Sequence, residues 1–164
     1  MEHLDEKTIR SSFVNCSKGE AKRLNLPRDL ADLRWDDLDF LGWRDPQAPL
    51  RGYLVARHEG EWCGIVLRAS EHGAGAGRRS MCSLCLTART GGVALLVAPR
   101  AGRSGQKGDS VGTYICSDLQ CSLYLRGKLS TGSVGMHETL PLEQRVERLV
   151  DNVDTFIGRV LRAA

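Results

Sequence analysis

Apolar positions change their spacing several times along this chain, and each change predicts a different element. In "HLDEKTIRSSFVNCSKGEAKRL", Leu4, Ile9, Phe13 and Val14 give an approximate helical face. Ser17, followed three residues on by Glu20, reads as a capping box, so a second short helix starts at Lys18 and is expected to stop at Pro27. "LADLRWDDLDFLGWRDPQAP" has no sustained period and suits irregular turns pinned to a core by Trp35, Phe40 and Trp43. Two β-rich runs follow, Leu50–Arg57 and Trp62–Ala69, flanking "HEGE", which predicts a hairpin turning near Gly60. "GGVALLVAPR" reads as a strand closed by Pro99, "AGRSGQKGDSVG" as a basic mobile loop, and "TYIC" as a further strand. "SDLQCSLYLRGK" predicts a helix beginning near Ser117. After a polar linker, Leu142, Val146, Leu149, Val150, Val153, Phe156, Ile157, Val160 and Leu161 recur at helical spacing. They predict an amphipathic C-terminal helix over about 140–162, with Thr139 as N-cap and Pro141 in the first turn. The pattern is that of an α+β fold with antiparallel strands, arranged as a single domain over residues 1–164.

Composition narrows this little. With 41% hydrophobic and 26% charged residues the 164-residue chain can bury a core, and no apolar run approaches the roughly 18–20 residues of a membrane helix. The polar, acidic start carries no secretory signal, so a soluble cytoplasmic protein is expected. Charge is uneven. From Arg78 to Lys128 eight basic residues face two acidic ones, a balance of +6, against −3 for the rest of a chain whose total is +3. Such asymmetry favours an acidic partner, a nucleic acid or a protein surface, unless the arginines merely solvate loops.

The chemistry lies in the cysteines. Four of six form two close pairs, Cys82/Cys85 and Cys116/Cys121, with 30 residues between Cys85 and Cys116. Thiolates at C-x-x-C spacing reach one tetrahedral metal from a tight turn, and a strand, loop and strand can return the chain with the second pair. Cys116 then sits just before a helix and Cys121 in its first turn, where helix amides and dipole stabilise negative sulfur. Knuckle, hairpin and ligand-bearing helix describe a treble-clef zinc finger within about 80–128. Disulfides are disfavoured in a reducing cytoplasm, and a thioredoxin-like pair would need a βαβ setting and no second pair. Four sulfurs complete the tetrahedron, so one structural zinc ion is expected, with His137 a replacement ligand only if the pairing differs.

Cys16 and Cys63 read as buried free thiols, and His3, His58, His72 and His137 as surface residues. "GAGAG" does not match a dinucleotide fingerprint, and no nucleophile stands with a base, so no catalytic residues and no enzyme are indicated.

The stretches "FVNCSKGEAKRLNLP", "LDFLGWRDP", "RGYLVA", "MCSLCLT", "GGVALLVA" and "VGTYICSDLQCSLYLRGK" together resemble the C-terminal treble-clef zinc-finger domain of elongation factor G-binding proteins, the FusB-type fusidic-acid-resistance family. The resemblance runs from about Phe13 to the end. It implies that Cys82, Cys85, Cys116 and Cys121 are the zinc ligands, and that the partner is elongation factor G, which the family releases from a drug-stalled ribosome. Resistance members carry an N-terminal helical bundle, whereas about a dozen residues precede the match here, so partner binding is the firmer expectation and drug resistance the weaker. Tyr114, Tyr124, Arg126 and Lys128, in the finger's last strand and helix, are candidate partner-binding residues, because Tyr and Arg are enriched in interface hot spots. The alternative partner is ribosomal RNA, held by the basic stretch.

Overall fold

The computed structural model describes residues 1–69, 79–132 and 138–162. Five strands form one antiparallel sheet in the order β1 (Leu41–Arg44), β2 (Arg51–His58), β3 (Glu61–Ala69), β6 (Val93–Pro99), β7 (Ser110–Cys116). Two further strands, β4 (Arg79–Met81) and β5 (Ala88–Thr90), pair only with each other. The β2–β3 hairpin closes at Glu59 and Gly60, both at positive φ (49° and 86°), the two-residue geometry that matches strand twist and favours glycine.

Side chains alternate across the sheet, and each face builds its own core. On one face Leu54, Ala56, Ile65, Leu67, Leu96, Ala98 and Ile115 meet Leu149, Val153, Phe156, Ile157 and Val160 of the C-terminal helix α5 (Leu142–Leu161). On the other face Tyr53, Val55 and Val66 meet Ile9 of α1 (Glu6–Ser11), Ala21 of α2 (Lys18–Arg23), and Trp35, Leu38 and Trp43. Phe13 lies edge-on to Tyr53 and forms a backbone bridge to Gly64, where a β-carbon would stand 3.1 Å from its ring.

The Ser17–Glu20 capping box is present, with the Ser17 side chain accepting from the Glu20 amide and the Glu20 carboxylate accepting from the Ser17 amide. Several expectations need correction. The segment read as irregular turns contains β1, whose four residues become a strand only because β2 supplies the ladder partner. The supposed mobile loop after Pro99 holds a short helix α3 (Gly102–Gln106), and the preceding Ala101 amide bonds to the Val160 carbonyl. Helix α4 runs over Cys121–Leu125 rather than from Ser117, because Leu119 takes φ 61° and breaks any helix through it. Thr139 is not a cap. Pro141 occupies that position, and a residue before proline is steered out of helical geometry, so the helix opens at Leu142, two residues later than expected. Leu142 and Val150 of the apolar stripe are exposed, leaving a narrower buried seam.

His58 departs from its surface assignment. Its ring is largely shielded, and Nδ1 lies 2.7 Å from Asp154 Oδ1 of α5. His3 lies exposed beside Trp35, while His72 and His137, with the glycine-rich "GAGAG" stretch, fall outside the described residues. Cys63 is buried as expected, whereas Cys16, between α1 and α2, is half-buried.

Candidate metal centre

One turn and two element ends deliver the four sulfurs. Cys82 and Cys85 sit in the turn of the β4–β5 hairpin, closed by Leu86 N–H donating to the Cys82 carbonyl (2.9 Å) and Cys82 N–H donating to the Thr87 carbonyl (3.1 Å). Amides of Leu84 and Cys85 point at Cys82 Sγ (3.4 and 3.5 Å). Leu86 takes φ 54°, which turns the chain back sharply enough to expose those amides to the sulfur. Cys116 ends β7 and Cys121 opens α4, with Leu119 N–H donating to the Cys116 carbonyl between them (2.9 Å).

The four Sγ atoms lie within 4.8 Å of one another. Cys82–Cys121 and Cys85–Cys116 are each 3.7 Å apart. Zinc–sulfur bonds of about 2.3 Å in a tetrahedron place ligand sulfurs roughly 3.8 Å apart, whereas a disulfide needs about 2.0 Å. The spacing therefore fits one ion and no disulfide. All four side chains are buried, Cys85 at 2% exposed and the others at 0%, so the cluster is shut off from solvent. Hydrogen bonding from Cys116 and then Cys121 pulls the Cys82 and Cys85 thiols below their ordinary range, while Cys121, bonded to Cys116 and Cys82, is pushed up. Four buried sulfurs this close would repel one another as thiolates, and a divalent cation at their centre would remove that repulsion. The donor set is that of a closed structural zinc site, in which four thiolates fill the coordination sphere.

A polar shell fixes the ligands. Asp118 accepts from the Gln120 amide (3.2 Å), the Tyr124 hydroxyl (2.6 Å) and Arg89 (3.3 Å), and the Arg89 guanidinium stacks on the Tyr124 ring at 3.8 Å. Asn152 of α5 donates to the Leu84 carbonyl in the knuckle (2.9 Å), and Arg145 to the Leu125 carbonyl at the end of α4 (3.0 Å). The Ser83 amide bonds to the Tyr114 carbonyl (2.7 Å), tying knuckle to sheet. At Gly42 the Leu119 turn comes so close to β1 that an added β-carbon would stand 2.7 Å from Leu119 Cβ, and Gln120 donates to the Gly42 carbonyl there. The finger is thus built into the sheet, not appended to it.

The candidate partner residues divide. Tyr114 is 55% exposed, and Lys128 is exposed. Tyr124 is buried and committed to Asp118, with burial and then that hydrogen bond pushing its phenol up. Arg126 grips Asp39 through two bonds (2.6 and 2.8 Å), both side chains being mostly shielded. Both functional groups are engaged inside the fold, so the surface they offer a partner is smaller than that of Tyr114 and Lys128. Sequence reasoning missed Asp39, Asp118, Arg89 and Asn152. Only the position of Asp118 two residues after Cys116 offered a local signal for any of them.

Of the basic excess, Arg89 and Arg126 are ion-paired, and Arg100 donates to the Arg159 and Arg162 carbonyls at the end of α5. The charge is therefore partly consumed internally.

No curated protein matches the sequence. Among solved structures the chain is similar to the fusidic acid resistance protein FusC, at TM-score 0.58 and 16% identity, covering 96% of this chain and 59% of that one. The chain thus spans about three-fifths of that protein's length, and the likeness is one of fold. The model of the FBP C-terminal treble-clef zinc-finger family matches residues 8–160, nearly the whole sequence and every ligand in it. With a four-sulfur centre in a knuckle-and-helix frame and a family match of that extent, the chain belongs to the FBP C-terminal treble-clef zinc-finger family, whose FusB-type members its motifs resemble.

Proposed function

We propose that this protein binds elongation factor G through the sheet face beside the zinc centre and promotes release of the factor from the ribosome. The observation that carries the reading is Tyr114. It stands 55% exposed on β7, directly opposite half-buried Leu95 and two residues before a ligand cysteine, on a part of the sheet that α1 and α2 do not cover. An exposed aromatic on a rigid, metal-braced strand is a suitable anchor for a protein partner, since little conformational entropy is lost on docking. Lys128, exposed just beyond α4, is a further candidate contact. Family membership and the fold of a fusidic acid resistance protein support the same partner. Zinc holds the docking face in shape and takes no part in a reaction. Binding energy shifts the partner's conformational balance toward released states, with no small molecule transformed.

The test is titration of the zinc-loaded protein against purified elongation factor G. Tyr114→Ala should weaken binding by tenfold or more while leaving the melting temperature nearly unchanged, because an exposed side chain contributes little to folding (within about 0.5 kcal/mol). No binding to the factor at micromolar concentration would defeat the proposal. A second reading, RNA binding, draws on the basic stretch. It predicts a log–log salt slope of roughly −0.7 per phosphate contacted on a single strand. Internal pairing of Arg89 and Arg126 argues against it.

A further inference from the structure

On the face of the sheet away from α5, register sets Arg51 of β2 directly opposite Arg68 of β3. Like charges opposed across a ladder destabilise it, and among the described residues neither guanidinium has a carboxylate within ion-pair distance. Both line a cavity of about 430 Å³ whose wall also holds Arg100 and Glu20, with Tyr53, Val66 and Pro99 as apolar lining. The Glu20 carboxylate is already occupied by the Ser17 amide and hydroxyl (both 2.9 Å). Three arginines and one glutamate leave a formal charge of +3 − 1 = +2 at the cavity.

The cavity is also held open. Asn15 lines it, donating to the Val66 and Pro99 carbonyls (3.0 and 2.9 Å) and accepting from the Val66 amide (2.7 Å), so its amide is spent on bracing β3 against the end of β6. Tyr53 is fixed from behind by its hydroxyl bond to Asp45 (2.8 Å). A cavity of this size with two guanidiniums among its lining has the dimensions and charge of a small-anion site.

We propose that this cavity binds a small phosphomonoester, its dianionic phosphate held between Arg51 and Arg68 and its organic body lying against Val14 and Pro99. Phosphate suits the site better than carboxylate because a dianion matches the +2 charge, and a tetrahedral oxyanion can accept from two guanidiniums at once. Inorganic phosphate alone leaves most of the volume empty. The proposal does not rest on the elongation factor reading: the cavity lies by α2 and α3, on the same sheet face as Tyr114, but neither Tyr114 nor a zinc ligand lines it, so its amides report separately.

Phenyl phosphate is the probe, titrated into the zinc-loaded full-length protein in phosphate-free buffer and followed by amide chemical shifts and by thermal melting. The expected result is saturable shifts confined to residues around Arg51, Arg68 and Pro99, with an affinity at least tenfold above that of inorganic phosphate and of benzoate. Arg51→Gln and Arg68→Gln should each weaken binding by tenfold or more. Arg68→Gln should also raise the ligand-free melting temperature, because removing one of two opposed charges relieves repulsion, a gain that a merely structural arginine would not give. Arg28→Gln, at an exposed site elsewhere, should change neither. Absence of saturable shifts at millimolar phenyl phosphate, equal affinity for benzoate, or unchanged binding in the Arg51→Gln/Arg68→Gln double variant would overturn the proposal. So would displacement of these same amides by a short RNA with none by phenyl phosphate.

Discussion

Replacing Arg126 should damage the fold before it touches any interface, and the size of the effect follows from its partner. The guanidinium makes two charge-assisted bonds to Asp39, at 2.6 and 2.8 Å, with side-chain exposures of 15% for Arg126 and 8% for Asp39. The pair joins the end of α4 to the residue before Phe40, and the Asp39 amide also donates to the Ser122 hydroxyl of α4. Arg126→Met keeps most of the aliphatic packing and strands a shielded carboxylate. Breaking a buried pair this way costs about 3 kcal/mol or more, which for a chain of this length is roughly 6–12 °C in melting temperature. Asp39→Ala should cost a similar amount. Because each single change leaves the other charge unpaired, Asp39→Ala/Arg126→Met should lose much less than the sum, with a coupling energy above about 1.5 kcal/mol. Thermal and urea melts of the four zinc-loaded proteins measure this cycle. Additive losses, or an Arg126→Met protein as stable as the parent, would refute the reasoning.

Other expectations follow from the same geometry. Elemental analysis should find one zinc per chain, and a strong chelator or Cys82→Ser should lower metal content and melt the finger, because binding energy in such a site is folding energy; identical melts with and without chelator would exclude a metal centre. Gly42→Ala should destabilise by about 1–3 kcal/mol in denaturant melts, since its β-carbon would stand 2.7 Å from Leu119 Cβ and 2.8 Å from the Leu119 carbonyl oxygen. Phe156→Ala, at a side chain 2% exposed between α5 and the sheet, should cost about 3–5 kcal/mol by the same assay, whereas Val150→Ala on the exposed side of that helix should stay within about 0.5 kcal/mol.

Local patterns sufficed wherever an element's causes lie within a few residues. The Ser17–Glu20 box, the Gly60 hairpin and the period of α5 are short-range physics, and each stands where the sequence put it. The metal centre was legible for a related reason. Thiolates at two close spacings admit few uses, and one ion satisfies all four whatever lies between them. The four residues of β1 have no signal of their own and are a strand only beside β2. The Ser117–Gln120 stretch looks helical, but Leu119 is turned to positive φ where it packs on Gly42. Nothing local in the sequence reveals that Tyr124 and Arg126 meet Asp118 and Asp39. Spacing thus determined which residues could bind a metal and where the β2–β3 hairpin and the C-terminal helix would lie. Only tertiary packing decided which charges are spent inside the fold and which, like Arg51 and Arg68, are left facing a cavity, because partners distant in the chain are chosen by register and burial and leave no mark on local periodicity.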